Sequence, residues 1–333
     1  MAVMLGFETL RGALGMRDAI DLLEQASSRE AAGGTFISPK FNTDFDVGAM
    51  RILVAADLQA GYCAMKAYHN IQGAGVRYVV LLYRLEDGEL LALLDGQIIT
   101  DLRTGAASGV IARRVQVPGS VSVGVIGSGN QARTQLESLA SVYRVASAAV
   151  YSPTAANREN FAREMSAKLG VPVEAVDTPE AAARGHAVVA AASSARGKEP
   201  VLRGEWLAQC RLLCAVGNTR PQFAEADVQC FRDAALVVVD SPHAIEEAGD
   251  LRRAVESGAL PEAKRATLAQ IVTGAVTVPR QGLIAFKSVG TALQDLALAV
   301  RYYELLGARA GLPAAPDLAV LRAPVREGGA PQT

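Results

Sequence analysis

The sequence predicts an α/β fold whose larger part is a parallel sheet with helices on both faces. Two observations carry this. From about residue 120 onward, apolar strand-like runs at 121–126, 147–152, 172–176, 187–192, 212–216 and 235–240 alternate with helix-like stretches. That alternation is the pattern of a parallel sheet. The first run, Val121 to Ile126, ends in Gly127-Ser128-Gly129-Asn130-Gln131-Ala132 and opens onto a helix-like segment from Arg133 to Tyr143. With 333 residues, half of them hydrophobic, the chain has the length of about two domains and enough apolar material for a sizeable core.

The glycine segment has a physical logic. Gly127 lets the chain turn tightly off the strand, and Gly129 lets a pyrophosphate approach the backbone amides. Ala132 is small enough for the helix to lie against the strand, and the helix N-terminus offers free N–H groups and a positive dipole end. G-x-G-x-x-A alone is a weak signal. Between a strand and a helix, followed by further alternation, it reads as a Rossmann dinucleotide site rather than an ordinary glycine-rich loop. The end of the second strand bears on the cofactor. NAD binders usually place an acidic residue there, but Val150-Tyr151-Ser152-Pro153-Thr154 has none. Ser152 and Thr154 can donate to a 2′-phosphate and Arg158 can supply charge, so NADP(H) is favoured and NAD(H) stays possible. In the competing view Arg158 is a solvated helix residue and either cofactor serves.

Bulk properties narrow the class further. A net charge of −1 with scattered basic residues argues against nucleic acid as the main partner. The apolar runs are strand-length, which argues against a membrane span, and no secretory signal is visible at the N-terminus, so a cytoplasmic location is expected. Cys63, Cys210, Cys214 and Cys230 lie in apolar or strand-like settings and read as buried thiols, with no second pair or histidine to complete a metal site.

In chain order, Met16 to Glu30 is an amphipathic helix, ended by Gly33-Gly34. Thr35 to Ile37 leads into the turn Ser38-Pro39-Lys40, and Met50 to Ala56 is strand-like. Asp57 to Met65 gives no clear pattern. Tyr78 to Leu85 and Glu89 to Leu94 form a hairpin around Glu86-Asp87-Gly88. Ile98 to Val115 is helical, and its many small residues suggest close packing. Val117-Pro118-Gly119 marks a domain boundary. After Asp240, a helical segment at 243–257 and a second region at 262–273 are expected to cover the sheet, and a helix from Thr291 to Leu306 to cross back to the first domain. The division expected is 1–118 plus 291–325 for substrate binding and dimerisation, 119–290 for the dinucleotide, and a disordered tail at 326–333.

Four stretches together resemble the ornithine cyclodeaminase/μ-crystallin family. They are Lys66 in its strand context, Leu93-Leu94-Asp95-Gly96 leading into Leu102 to Ser108, the Gly127 loop as Gly-Ser-Gly-Asn-Gln-Ala, and Phe286-Lys287-Ser288-Val289-Gly290 followed by Leu293-Gln294-Asp295-Leu296-Ala297. The resemblance implies a Rossmann domain inserted into an α+β substrate and dimerisation domain, and usually a homodimer. It implies nicotinamide chemistry on small α-amino or α-imino acids. By similarity, Lys66 and Arg103 are the catalytic pair and hold the substrate carboxylate, Arg103 through its bidentate fork. Lys66 could also exchange a proton with the substrate nitrogen if a closed cleft lowers its pKa. The cofactor set is Thr104, Gly127, Gly129, Asn130, Gln131, Ala132, Ser152, Thr154, Arg158, Ser193, Val216, Gly217, Lys287, Ser288 and Val289, with Lys287-Ser288-Val289 closing the nicotinamide end.

Three departures from the family pattern bear on the substrate. The carboxylate-binding Arg after the early Pro is Lys40 here, which keeps charge but loses the fork. Met50-Arg51 replaces the family's Met-Pro; Arg51 either meets a second substrate carboxylate, as in an iminosuccinate-like substrate, or points to solvent, with solvent slightly ahead. The aspartate that cyclodeaminases carry after the fifth strand is Thr219, beside a neutral Asn218. A hydroxyl is no base at neutral pH, so the chain sits closer to the ketimine and imino-acid reductases. The alternatives are a cyclodeaminase with an altered proton relay and a non-catalytic, NADPH-binding μ-crystallin-like protein. His69, His186 and His243 read as structural, although His69 lies near enough to Lys66 to line the site.

Overall fold

The computed structural model describes residues 2–194 and 199–314, and its strands gather into two sheets. Strands β1 (Val3–Leu5), β2 (Thr35–Ile37), β3 (Phe41–Phe45), β4 (Gly48–Asp57), β5 (Tyr62–Ile71), β6 (Gly75–Arg84) and β7 (Leu90–Asp95) form a seven-stranded sheet. Its order is β1-β7-β6-β5-β4-β2, with β3 also paired to β4. Only β1 runs parallel to its neighbour. The segment that shows no clear pattern in sequence is thus the turn before β5 and its first residues. The short strands β1 and β3 carry too few residues for a period to show.

The helices of this part are α1 (Phe7–Leu10), α2 (Met16–Ala31) and α3 (Gly96–Ala112). Helix α3 starts two residues before the expected Ile98 because the Asp95 carboxylate caps it, accepting from the Gln97 amide at 2.9 Å. Alternation along β4 to β6 sends side chains to opposite faces. Arg51, Tyr68 and Tyr78 stand in register on one face, together with Leu53 and Lys66. Val54, Met65 and Leu81 stand in register on the other.

The parallel sheet predicted from residue 121 onward is present. Its strands are β8 (Val121–Ile126), β9 (Val145–Tyr151), β10 (Val173–Ala175), β11 (Val188–Ala191), β12 (Leu212–Ala215), β13 (Ala234–Val239), β14 (Arg265–Thr267) and β15 (Leu283–Lys287). All eight run parallel in the order β10-β9-β8-β11-β12-β15-β13-β14. Between them lie α4 (Asn130–Val142), α5 (Ala155–Leu169), α6 (Pro179–Ala183), α7 (Val228–Arg232), α8 (Ala244–Glu247), α9 (Gly249–Glu256) and α10 (Leu268–Val272).

The segment expected to be helical at 243–257 is two helices, α8 and α9, and residues 262–273 combine strand and helix: β14 pairs with β13, and α10 begins only after Thr267, which makes a capping box with Gln270. Strand β15 also escapes a reading by alternation, because all five of its residues are buried and no polar period shows.

The final helix, α11 (Ala292–Leu306), packs on β4, β5, α2 and α3 of the first sheet, as expected. Helices α3 and α4 join the two sheets. The small residues of α3 allow the contact: a Cβ at Gly105 would overlap the Thr134 carbonyl, and one at Gly109 would overlap Ile20 and Ser138. Residues 315–325 and the tail at 326–333 lie outside the described residues. Among those described, no helix is long and apolar enough to cross a membrane.

Candidate active site

A cavity of about 630 Å³ opens between the carboxyl ends of the parallel strands and the first sheet. This is where an open α/β sheet places its ligands. Face alternation sets its floor: Arg51, Leu53, Lys66, Tyr68 and Tyr78 all line it. Arg103 and Thr104 of α3 and Asp295 of α11 form one wall, and the loops after β12 and β15 bring Val216, Thr219, Ser288 and Val289.

At the centre, Lys66 Nζ donates to Asp295 Oδ1 at 2.8 Å and to Thr100 Oγ1 at 2.6 Å. Both members of the ion pair are buried, with side chains 3% and 2% exposed. The ammonium sits 5.0 Å from the Tyr78 ring centre and 6.0 Å from that of Tyr68. Burial is the main influence on Lys66 and pulls its pKa down to about 8; Asp295 opposes this and Arg103 adds to it. Arg103 approaches Asp295 Oδ1 with Nε at 3.4 Å and donates from Nη1 to Gln294 Oε1 at 3.4 Å. These long contacts leave most of its five donors available to a planar anion. Gly290, at φ +77°, leaves the room the guanidinium fills, since a Cβ there would overlap it.

The two other predicted cations also reach the cavity. Lys40 Nζ donates to Glu247 Oε2 at 2.5 Å and to the Val289 carbonyl at 2.7 Å. Burial lowers its pKa, and Glu247 works against that. Arg51 does not point to solvent. Its side chain is 13% exposed, lines the cavity, and donates to Asp44 Oδ1 at 2.7 Å and to the Thr43 and Met50 carbonyls. Thr219 is exposed at the rim, and Asn218 turns into its own loop, its Oδ1 accepting from the Arg220 amide at 3.1 Å. His69 falls in register with Met50 on the opposite face of the sheet; His243, not His69, lines the cavity.

The glycine loop fits a dinucleotide. Gly127 has φ +113°, and a Cβ there would overlap the Ala192 carbonyl. Gly129 caps α4 without any side-chain hydrogen bond, and a Cβ on it would meet nothing within 4 Å, which leaves room for a ligand beside the start of the helix. Ala132 is fully buried, as close helix packing requires. Asn130 Nδ2 and Gln131 Nε2 donate to Asp101 at 3.2 and 2.7 Å, tying this loop to α3. Thr104 is buried and donates to the Thr100 carbonyl.

At the second strand end, Ser152 Oγ pairs with Ser128 Oγ at 2.9 Å, and Thr154 caps α5 without a side-chain hydrogen bond. Arg158 pairs with the exposed Asp177 and donates to the Ser152 carbonyl. Ser193, after β11, donates its amide and hydroxyl to Glu225 Oε2 at 3.0 and 3.1 Å. Gly217, after β12, donates its amide to Glu225 Oε1 at 2.7 Å. One buried carboxylate thereby staples two strand-end loops.

Lys287 requires a correction. It was expected to close the nicotinamide end, but it is fully buried, 3.0 Å from Asp250 Oδ2 and 3.7 Å from Glu225 Oε1. Neighbours on a strand face opposite ways, so Lys287 points inward where Ser288 lines the cavity. Sequence reasoning also gave no role to Asp295, Asp240, Glu225 or Glu247. Gln294-Asp295 belongs to the C-terminal stretch that resembles the family, but acidic residues on a helix or at a strand end carry no mark of what they face. Cys210, Cys214 and Cys230 are buried and Cys63 only partly; all four are free thiols. Among the described residues no group of His, Cys, Asp and Glu is placed to hold a metal ion.

The family model described as "Ornithine cyclodeaminase/mu-crystallin family" matches residues 2–309. The chain belongs to this family. It is 31% identical over 225 residues to the ketimine reductase mu-crystallin of Mus musculus, covering 68% of each chain. It is 28% identical over 306 residues to the alanine dehydrogenase of Archaeoglobus fulgidus, covering 89% of this chain and 92% of the other. Its fold is similar to that of the Thermococcus litoralis Δ1-pyrroline-2-carboxylate reductase, solved in complex with NADH and L-proline. The TM-score is 0.85 at 29% identity, over 91% of this chain and 97% of that one.

Proposed function

We propose that this family member uses NAD(P)H to reduce a small α-imino acid to the L-amino acid, or catalyses the reverse dehydrogenation. One observation carries the reading: a buried lysine, Lys66, stands beside an under-bonded arginine, Arg103, in the cavity onto which the glycine loop opens. Relatives that reduce ketimines and dehydrogenate alanine, and a neighbour holding NADH, support it.

Arg103 grips the substrate carboxylate with its fork and so fixes the orientation of the neighbouring imine carbon. Lys66 faces the substrate nitrogen. With a pKa near 8 it carries a proton at neutral pH and can still release it, which suits a group that exchanges a proton with an imine or amine. Asp295 and Thr100 aim that ammonium, and the two tyrosine rings shield it from water. When bound against the Gly127–Ala132 loop, the nicotinamide cofactor supplies or accepts the hydride. NADP(H) is the favoured form, since the end of β9 has no carboxylate and Arg158 lies beside Ser152. Arg51 lines the same floor as Lys66, and in this reading it meets an anionic or polar substrate side chain.

The working unit in this reading is a homodimer. The sheet face away from the cavity carries many apolar side chains beside His69 and Arg77: Met50, Val54, Met65 and Leu81 lie on it, and Phe36, Phe41, Val54 and Leu58 are exposed. A face of that kind suits a second copy.

NADPH and NADH oxidation with cyclic ketimines, and with glyoxylate, pyruvate and oxaloacetate each in the presence of ammonia, tests the activity. Turnover of at least one of these is expected. Release of ammonia from ornithine or lysine without net cofactor change would identify a cyclodeaminase instead. Tight NADPH binding with no turnover on any of these substrates would leave a non-catalytic binder.

A further inference from the structure

Asp240, the residue after β13, is buried and uses both carboxylate oxygens on neutral donors. Its Oδ1 accepts from the Val289 amide at 3.0 Å. Its Oδ2 accepts from Ser288 Oγ at 2.6 Å, the Gly290 amide at 2.9 Å and Gln294 Nε2 at 3.2 Å. Among the described residues it makes no ion pair. Successive amides gathered on one carboxylate fix a short loop tightly, because each bond to a charged acceptor is stronger than a neutral one.

The far side of that loop touches two of the cavity's cations. The Val289 carbonyl accepts from Lys40 Nζ at 2.7 Å. Gly290 leaves the space that the Arg103 guanidinium fills. Gln294 donates to Asp240 through Nε2 and accepts from Arg103 Nη1 through Oε1. Capping α11 does not account for this arrangement, since Thr291 and Gln294 already form a capping box there.

We propose that Asp240 is a positioning residue for substrate: by seating residues 288–290 it fixes Arg103 and Lys40 as one clamp for the substrate carboxylate. This rests on the reading of Arg103 as the group that binds that carboxylate.

The test uses Asp240→Asn, Gly290→Ala and Arg103→Ala in the full chain. It measures KM and kcat for the imino acid best reduced in the panel above, and the Kd of NADPH by nicotinamide fluorescence. Asp240→Asn removes the charge and, in either amide orientation, sets a nitrogen against at least one of the four donors, and the expected result is a rise in KM of about tenfold or more with NADPH Kd within about twofold. In the Arg103→Ala background the same change raises KM by less than about twofold, because both act through one contact. Gly290→Ala disturbs the same loop from its Arg103 side with the Asp240 carboxylate retained, is expected to reproduce the KM effect, and keeps the proposal open to test if Asp240→Asn does not fold. An unchanged KM in either variant that folds overturns the proposal. So does an Asp240→Asn effect that adds fully to Arg103→Ala, or a parallel rise in NADPH Kd. A normal KM in Arg103→Ala, or no turnover by the wild type on any panel member, overturns the reading of Arg103 and the proposal with it.

Discussion

Lys66 and Asp295 meet at 2.8 Å in the interior although 229 residues separate them in sequence. Each removes the chief electrostatic problem of the other, since an unpaired buried charge is strongly destabilising. In the proposed mechanism the pair also bears on the working pH. The proton on Lys66 is lost as pH rises through about 8, so kcat/KM for imine reduction is expected to fall on the alkaline side of that value. Asp295 raises the Lys66 pKa, so Asp295→Asn should move the falling limb to lower pH. A pH–rate profile in which the limb stays put in Asp295→Asn would rule out Lys66 as the titrating group.

Arg103 is held by contacts of 3.4 Å to Asp295 and Gln294, weak enough to be exchanged for a ligand. Arg103→Ala should raise imino-acid KM by about a hundredfold, the loss of a bidentate charge-assisted pair. Arg103→Lys should recover only part of this, because an ammonium cannot form the fork. Steady-state kinetics at saturating cofactor measure both.

The two loop glycines should separate cofactor binding from stability. Gly129→Ala adds a methyl where nothing stands within 4 Å, so thermal stability should hold while dinucleotide Kd rises at least tenfold. Gly127→Ala puts a Cβ on a residue with φ +113° and against the Ala192 carbonyl. It should lower stability by at least about 1 kcal/mol. Denaturant melts and cofactor titrations of the pair distinguish the two roles.

Glu225 joins Ser193 and Gly217, the two loop ends beside the nicotinamide position in the proposed complex. Glu225→Gln leaves one oxygen for three donors, so dinucleotide Kd should rise about tenfold with a much smaller change in imino-acid KM. Burial pushes the Glu225 carboxyl up to about 7, with Lys287 pulling the other way. Isothermal titration of the variant with NADPH would show the change directly.

The exposed apolar face makes a separate claim. Val54→Glu places a charge on the sheet face away from the cavity, and should convert a dimer to a monomer in light-scattering measurements while leaving the cofactor site intact.

The parallel sheet and its glycine loop were legible because their residue types are dictated locally: apolar runs, turn glycines, a small residue under a helix. The buried acids that organise the cavity were not. Asp240 gains its meaning from the amides of residues 288–290, and Asp295 from a lysine on a strand of the other sheet. Lys287 was misread for the opposite reason. A motif names neighbours in sequence, whereas a strand sends neighbours to opposite faces, and only the register showed which of Lys287 and Ser288 meets the cavity. Arg51 and Lys40 could be placed only once β3, β4 and the Glu247 helix were in position.

The passage of the chain out through the parallel sheet and back as α11 also sets a timetable for biosynthesis. Lys66 leaves the ribosome early, together with the strands around it, but its counter-charge follows only after all eight strands of the other sheet have been made. Until α11 docks, the first sheet lacks part of its cover and the carboxylate that neutralises its lysine, so a nascent chain can hold a dinucleotide pocket before it can hold the geometry for turnover. Translation arrested between Gly290 and Leu306 would therefore give chains with a complete glycine loop and no competent centre.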